Sequence, residues 1–372
     1  MNNSKLGFGF MRLPLKEENQ PSNIDYKKVN KLVDTYINGG GNYFDTGYNY
    51  HEQNSETAIR KCVIERYPRE QVRIADKMPI YSMTLNDNPE EIFQSQLDKC
   101  GVTYFDYYLV HNTAEIFYQG VCKKLNIFSF LKKMKEEGKI RKIGISHHDT
   151  PETLETVLNE NPEIEFVQLQ LNYLDWTNTA VRAKECFEIV RKHDLDVIVM
   201  EPLKGGTLAQ VPQSTEKLFM EYNNKSPIQW AFSYLLNMEG IDVILSGMNT
   251  ETQIRENIQT FNEFKPLTQD ELDIISKARE LLNDAIEIPC TYCDYCAKQC
   301  PKNIPISKYF SIYNDAKQAV IKQMLQSLYY NNYAMQYAKA SECIECGACE
   351  KVCPQHINIT EELKNVVNEL EK

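Results

Sequence analysis

Phe105-Asp106-Tyr107-Tyr108-Leu109-Val110-His111 is an aromatic and apolar run set between two helical patterns, Pro89–Cys100 before it and Asn126–Glu137 after it. Its length is that of a strand, and Phe, Tyr and Val suit a pleated, buried surface. The same alternation repeats outward in both directions. Lys5–Met11, Tyr43–Thr46 and Val72–Lys77 precede it, and Ile140–Ser146, Phe166–Leu171, Asp196–Met200 and Asp242–Ser246 follow. Gly138 stops the helical pattern just ahead of the strand that begins at Ile140. Strands alternating with helices form parallel sheets through helical crossovers, and eight such runs predict an α/β fold closed as a (β/α)8 TIM barrel.

After Asp284 the alternation stops and spaced cysteines begin, with Ser307–Ala340 reading as one or two Tyr-rich helices. The expected organisation is a barrel over residues 1–285 and a small α-helical domain over 286–372. With 42% hydrophobic and 25% charged residues the chain has the composition of a soluble globular protein. Its net charge of −11 argues against nucleic acid, whose phosphates recruit surplus Lys and Arg. No run of 18 apolar residues occurs, and Met1–Pro14 has no basic flank leading into an apolar stretch. These features predict a cytoplasmic protein with no membrane partner.

Of the 12 cysteines, Cys62, Cys100, Cys122 and Cys186 are scattered and the other eight fall in two groups. Cys290, Cys293, Cys296 and Cys300 precede Pro301; Cys343, Cys346, Cys349 and Cys353 precede Pro354. Each group spells C-x2-C-x2-C-x3-C-P, the pattern that binds four-iron clusters. Three thiolates on one tight loop can cap three irons, whereas the fourth, carried away on the following helix, reaches the other cluster more easily. Zinc is the competing reading of paired C-x2-C motifs, but it has no use for a third and fourth cysteine at this spacing, twice over. Two 4Fe-4S clusters are therefore expected, with crossed ligand sets. The 42 residues between the motifs, 301–342, make the tail similar to the helical ferredoxin type. Within it Tyr329, Tyr333 and Tyr337 recur every fourth residue, a spacing for one helix face that packs against the clusters.

Phe44-Asp45-Thr46-Gly47-Tyr48-Asn49-Tyr50, Ala75-Asp76-Lys77 and Tyr108-Leu109-Val110-His111 all lie at the C-terminal ends of predicted strands. Barrels of this class keep their active sites there. An acid, a phenol, an amine and an imidazole thus converge. With Met11-Arg12-Leu13-Pro14, Ser55-Glu56 and Ile143-Gly144-Ile145-Ser146, these segments resemble the aldo/keto reductase family over residues 5 to 285. The cysteine tail resembles its ferredoxin-fused branch. The resemblance implies a catalytic tetrad of Asp45, Tyr50, Lys77 and His111, reducing a carbonyl while a nicotinamide supplies hydride. In that scheme Tyr50 is the general acid, the Lys77 ammonium lowers its pKa, Asp45 holds Lys77, and His111 orients the carbonyl.

The resemblance also implies how NADP or NAD is held. Ser146 and Gln168 match positions that grip the nicotinamide carboxamide, and His147 stands where the family has Asn. Met200 stands where the family often places an aromatic ring, with Leu203 following. Lys204 and the adjoining Gly205-Gly206 could bring a charge and amides to the pyrophosphate. Gly247, Gln253, Glu256 and Asn257 match the adenosine end, with Gly247 and Gln253 where phosphate-specific members carry Lys and Arg. The 2′-phosphate preference common in the family does not follow from these residues. Two alternatives stay open: a ferredoxin- or flavin-linked reductase without nicotinamide chemistry, served by a ferredoxin or flavodoxin-type partner, and a cofactor-binding redox sensor or docking module. In every enzymatic reading the substrate is a small molecule.

Overall fold

The computed structural model describes residues 5–17, 20–283, 286–290, 292–318 and 324–371. Eight parallel strands close on themselves in sequence order. They are β1 (Leu6–Gly9), β2 (Tyr43–Asp45), β3 (Arg73–Met78), β4 (Phe105–Val110), β5 (Ile140–His147), β6 (Phe166–Gln170), β7 (Asp196–Met200) and β8 (Ile241–Ser246). Parallel strands need long crossovers, and helices such as Pro89–Cys100 and Pro151–Glu160 supply them. Each starts with Pro behind a capping side chain, Asn88 or Thr150, that accepts a backbone N–H of the first turn.

The side-chain period of two sorts each strand into an inward and an outward set. Tyr43, Ala75, Tyr107, Leu109, Phe166, Ile198, Val243 and Leu245 pack as one buried cluster drawn from five strands of the barrel and from β8 beside β1. Gly144 is small because its neighbour Phe166 fills that space: a Cβ there would stand 2.4 Å from the Phe166 ring. Moving two residues toward the C-terminus keeps a side chain on the inner face. Tyr43 leads to Asp45, Ala75 to Lys77, Leu109 to His111, Gly144 to Ser146, Phe166 to Gln168 and Ile198 to Met200. Strand geometry alone therefore gathers the sequence-predicted polar residues into the next layer.

The described residues separate into two compact units. One comprises those of Met1–Leu171, Glu185–Pro202 and Phe232–Pro266, which hold all eight strands. The other comprises those of Asn172–Lys184, Leu203–Ala231 and Leu267–Lys372, so it takes in segments that follow β6 and β7 as well as the tail. The expected boundary at residue 285 lies outside the described residues.

In the second unit, helices span Gln269–Asn283, Ile306–Gln318, Met324–Ala334 and Ile359–Leu370. Tyr329 and Tyr333 are buried, with the Tyr333 hydroxyl donating to Ala180 O at 3.2 Å. The helix ends at Ala334, so Tyr337 stands beyond it and is exposed, and the three tyrosines do not form one helix face. Among the described residues no helix is long and apolar enough to cross a membrane.

Candidate active site

At the inner layer of the barrel mouth, Lys77 Nζ donates to Asp45 Oδ1 at 2.7 Å and to Thr46 O. Lys77 is 1% exposed and Asp45 4%. Burial alone would push the Lys77 ammonium toward neutrality, but the Asp45 carboxylate and the neighbouring Tyr50 and Asp76 hold it above its ordinary value. Its Nζ lies 4.9 Å from the centre of the Tyr50 ring. Burial pushes the Tyr50 phenol up to about 12, against the pull of Lys77. The lysine does act in the expected direction, yet desolvation is the larger effect and the phenol keeps its proton at neutral pH.

Tyr50 sits on a tight loop after β2. Its N–H donates to Gly47 O at 3.0 Å, and its carbonyl accepts from Ser55 N at 3.3 Å. Thr46 and Ser55 share a hydroxyl contact of 2.8 Å, and Ser55 Oγ reaches Phe10 O. His51, Glu52 and Gln53 then run through the left-handed region at φ 51°, 52° and 67°. His51 braces this turn by accepting from Leu13 N and bonding Pro21 O.

His111 meets the Tyr50 ring edge-on at 6.0 Å between centres. Burial, with the nearby Lys77 charge, holds its imidazole well below the usual range, so it is neutral. Its Nδ1 has no hydrogen-bond partner among the described residues. Tyr81 lies closer still, edge-on to His111 at 4.9 Å, with its hydroxyl accepting from Asn49 Nδ2 at 2.9 Å. Sequence reading overlooked Tyr81, whose place three residues past β3 gives no signal of its own.

Asp76 and Glu56, present in the quoted motifs but given no role there, belong to a second polar group that supports Lys77. Asp76 accepts the Lys77 backbone N–H at 2.8 Å, and Gln96 Nε2 bridges Lys77 O and Glu56 Oε1 at 3.1 and 3.0 Å. Burial first, and the Glu56 charge second, push the Asp76 carboxyl well up, while Lys99 stands 3.2 Å from Glu56.

The residues expected to hold a nicotinamide divide. Ser146 Oγ accepts from Asn112 N at 2.9 Å, and Ser146 is in register with Gln168. Gln168 Nε2 makes a long contact of 3.5 Å to Asp45 Oδ2, and its Oε1 has no partner among the described residues. An amide oxygen buried without a partner is costly, which suits a site completed by a donor on a ligand. Met200 packs against the inner core cluster. His147 is occupied instead: Nδ1 contacts Thr113 Oγ1 at 3.2 Å and Nε2 contacts Thr150 O at 2.9 Å.

At the adenosine end, Gln253 Oε1 caps its own helix by accepting from Asn249 N and Thr250 N. Asn257 Nδ2 donates to Ser246 Oγ at 3.2 Å. Gly247 and Glu256 are exposed. Leu203 and Lys204 belong to the second unit. There Lys204 is 2% exposed and forms ion pairs with Asp175 and Asp315. Its charge is committed to those carboxylates.

The cysteines of the second unit line two cavities. One is bounded by Cys290, Cys293, Cys296 and Cys353; the other by Cys343, Cys346, Cys349 and Cys300. Each takes three thiols from one motif and the last from the other, although Cys300 and Cys353 stand just past short helical turns ending at Gln299 and Val352 and not on the following helices, which start at Ile306 and Ile359. Ile304, Ile306 and Leu363 add apolar walls to the second, and Phe310, Ile357 and Ile359 to the first. Among the described residues no group of three or more His, Cys, Asp or Glu side chains is drawn together closely enough to hold a single metal ion.

Comparison with known proteins accords with this architecture. The aldo/keto reductase family model matches residues 5–280. The chain belongs to that family. It is an oxidoreductase of the aldo/keto reductase type carrying a 4Fe-4S domain, since a 4Fe-4S dicluster domain model matches residues 289–357. The NADH-specific methylglyoxal reductase of Escherichia coli is 24% identical over 278 residues, covering 62% of this chain and 82% of that enzyme. The probable aldo-keto reductase 1 of Glycine max is 28% identical over 219 residues, covering 55% and 57%. Among solved structures, the holo form of an aldo-keto reductase from Bacillus halodurans superposes with a TM-score of 0.59 at 22% identity, covering 74% of this chain and 91% of that one. An aldo-keto reductase from Klebsiella pneumoniae in complex with NADPH gives a TM-score of 0.59 at 16% identity, covering 73% and 90%. These likenesses are to the barrel fold.

Proposed function

We propose that the barrel reduces the carbonyl group of a small aldehyde, ketone or dicarbonyl with NADH or NADPH, and that Tyr50 delivers the proton. The observation that carries this reading is the buried Lys77 ammonium, fixed by Asp45 at 2.7 Å and set 4.9 Å from the Tyr50 ring. A nicotinamide bound here would supply hydride to the carbonyl carbon. Tyr50, protonated at neutral pH, donates its proton to the developing alkoxide, and Lys77 stabilises the phenolate left behind. Asp45 keeps Lys77 charged and placed. His111, neutral, donates a hydrogen bond that orients the carbonyl oxygen. Ser146 and Gln168 hold the carboxamide, with Met200 as an apolar wall. The name of the Escherichia coli relative supports small dicarbonyls as the first substrates to try.

The two cysteine-lined cavities support one 4Fe-4S cluster in each, the barrel over residues 1–285 and the cluster domain over 286–372 remaining the working division. Thiolate ligation favours a reducing compartment, the cytoplasm. The same cavities favour a second reading, in which reduced ferredoxin or flavodoxin, or a flavin held by the barrel, feeds the substrate through the clusters. Spectra recorded while NADH, NADPH and dithionite are added in turn separate the two. The proposed reading expects Tyr50→Phe to lower carbonyl turnover by about 10²–10⁴-fold while nicotinamide affinity stays within a few-fold. Turnover retained by that variant would remove Tyr50 from the acid role.

A further inference from the structure

Asn112, the residue after His111, carries three features that packing does not explain. It lies in the left-handed region at φ 63°. It is 2% exposed, and neither its Oδ1 nor its Nδ2 has a hydrogen-bond partner among the described residues. Its backbone N–H, by contrast, is held by Ser146 Oγ at 2.9 Å. A buried polar group without a partner is destabilising, and Asn112 holds two such atoms where an apolar side chain would carry no such penalty. Asn tolerates the left-handed backbone better than most residues, which accounts for its conformation but not for its two unpaired side-chain atoms. Uncompensated polar atoms in so buried a position point to a ligand that completes them.

The neighbours narrow what that ligand presents. Ser146 is in register with Gln168, whose Oε1 also lacks a partner among the described residues. Ser146 Oγ already accepts from Asn112 N, which leaves its hydroxyl hydrogen to donate. The next rim residue, His147, has both ring nitrogens engaged by Thr113 and Thr150. The rim therefore offers unpaired amide donors and acceptors together. A carboxylate could answer the donors only and a lone hydroxyl too few of either. A flat group with one carbonyl and one NH2, a primary carboxamide, answers both kinds.

We infer that Asn112 is a binding residue for the nicotinamide carboxamide, acting with Gln168 and Ser146 in the place where His147 is occupied. The inference rests on the proposed nicotinamide reading. The test uses the intact, cluster-loaded protein and two variants: Asn112→Gly, which accepts a positive φ and removes the amide, and Asn112→Asp, which keeps the size but loses the donor. Dissociation constants are measured by calorimetry for NADH, NADPH and ADP-ribose, the last lacking the nicotinamide. The expected result is a loss of tenfold or more for the better-bound dinucleotide in both variants, with ADP-ribose affinity changed less than twofold. Equal losses for dinucleotide and ADP-ribose would overturn the inference in favour of a structural role, and unchanged affinities would overturn it outright. If the native protein binds neither NADH nor NADPH, the underlying nicotinamide reading fails, and the inference falls with it.

Discussion

Lys77 Nζ and Asp45 Oδ1 stand 2.7 Å apart in a place almost without solvent, the two side chains being 1% and 5% exposed. A buried pair of this kind is far more sensitive to losing one member than both. Lys77→Met is therefore expected to cost on the order of 3–5 kcal/mol of stability by leaving Asp45 uncompensated. Asp45→Asn combined with Lys77→Met should recover most of that loss while remaining inactive. Urea midpoints of the two variants and the native protein check this; a double variant no more stable than the single one would show that the pair is not coupled.

Tyr50 is pushed up to about 12, chiefly by burial, so its titration lies far above neutrality. Reduction uses the protonated phenol, which predominates at every pH below that value. Its rate should stay flat between about pH 6 and 9 as far as this group is concerned. Alcohol oxidation uses the phenolate, and its rate should rise about tenfold per pH unit over the same range. A reductive rate that falls with an apparent pKa near 8 would contradict the assignment.

His148 is held down to about 3, first by burial and then by the neighbouring His147 and the Lys77 charge. Its ordinary value is about 6.5, so below that pH the unfolded chain binds a proton that the folded chain refuses. Stability from this residue is complete above about pH 6.5 and is lost as pH falls toward 3, at about 1.4 kcal/mol per unit. Denaturant unfolding at pH 7 and pH 5 should show a smaller acid loss in His148→Gln than in the native protein. An identical loss would place the acid sensitivity elsewhere.

The cavity linings predict which cysteines act together. Substituting Cys300 or Cys343 by Ala should perturb the same paramagnetic signal of the reduced protein, and substituting Cys353 or Cys290 the other. If Cys300 instead pairs with Cys290, the crossed ligand sets are wrong.

The barrel was legible because each strand is a short apolar run bounded by helical periodicity, and β7 fell on Asp196–Met200 as read. Asp45, Lys77, His111, Ser146 and Gln168 could be placed together because a period of two carries each of them inward at the strand ends. What stayed hidden depends on partners distant in the chain. Lys204 beside two glycines reads as a phosphate ligand, and its ion pairs with Asp175 and Asp315 leave no mark in the local sequence. His147 reads as a carboxamide ligand, and the contacts of its ring with Thr113 and Thr150 are equally invisible in the sequence. Asn112 and Tyr81 carry no motif; the first is distinguished by what it lacks and the second by a ring contact with His111.

If the barrel works as proposed, hydride passes from a nicotinamide directly to a carbonyl carbon beside Tyr50. The most direct test supplies the cluster-loaded protein with methylglyoxal and NADH or NADPH deuterated at C4 on the transferring face, then analyses the alcohol by mass spectrometry and NMR. One deuterium is expected on the former carbonyl carbon in native protein, with product formation falling by about two orders of magnitude or more in Tyr50→Phe. Alcohol that forms without deuterium at that carbon, or that forms only when reduced ferredoxin is supplied, would contradict it.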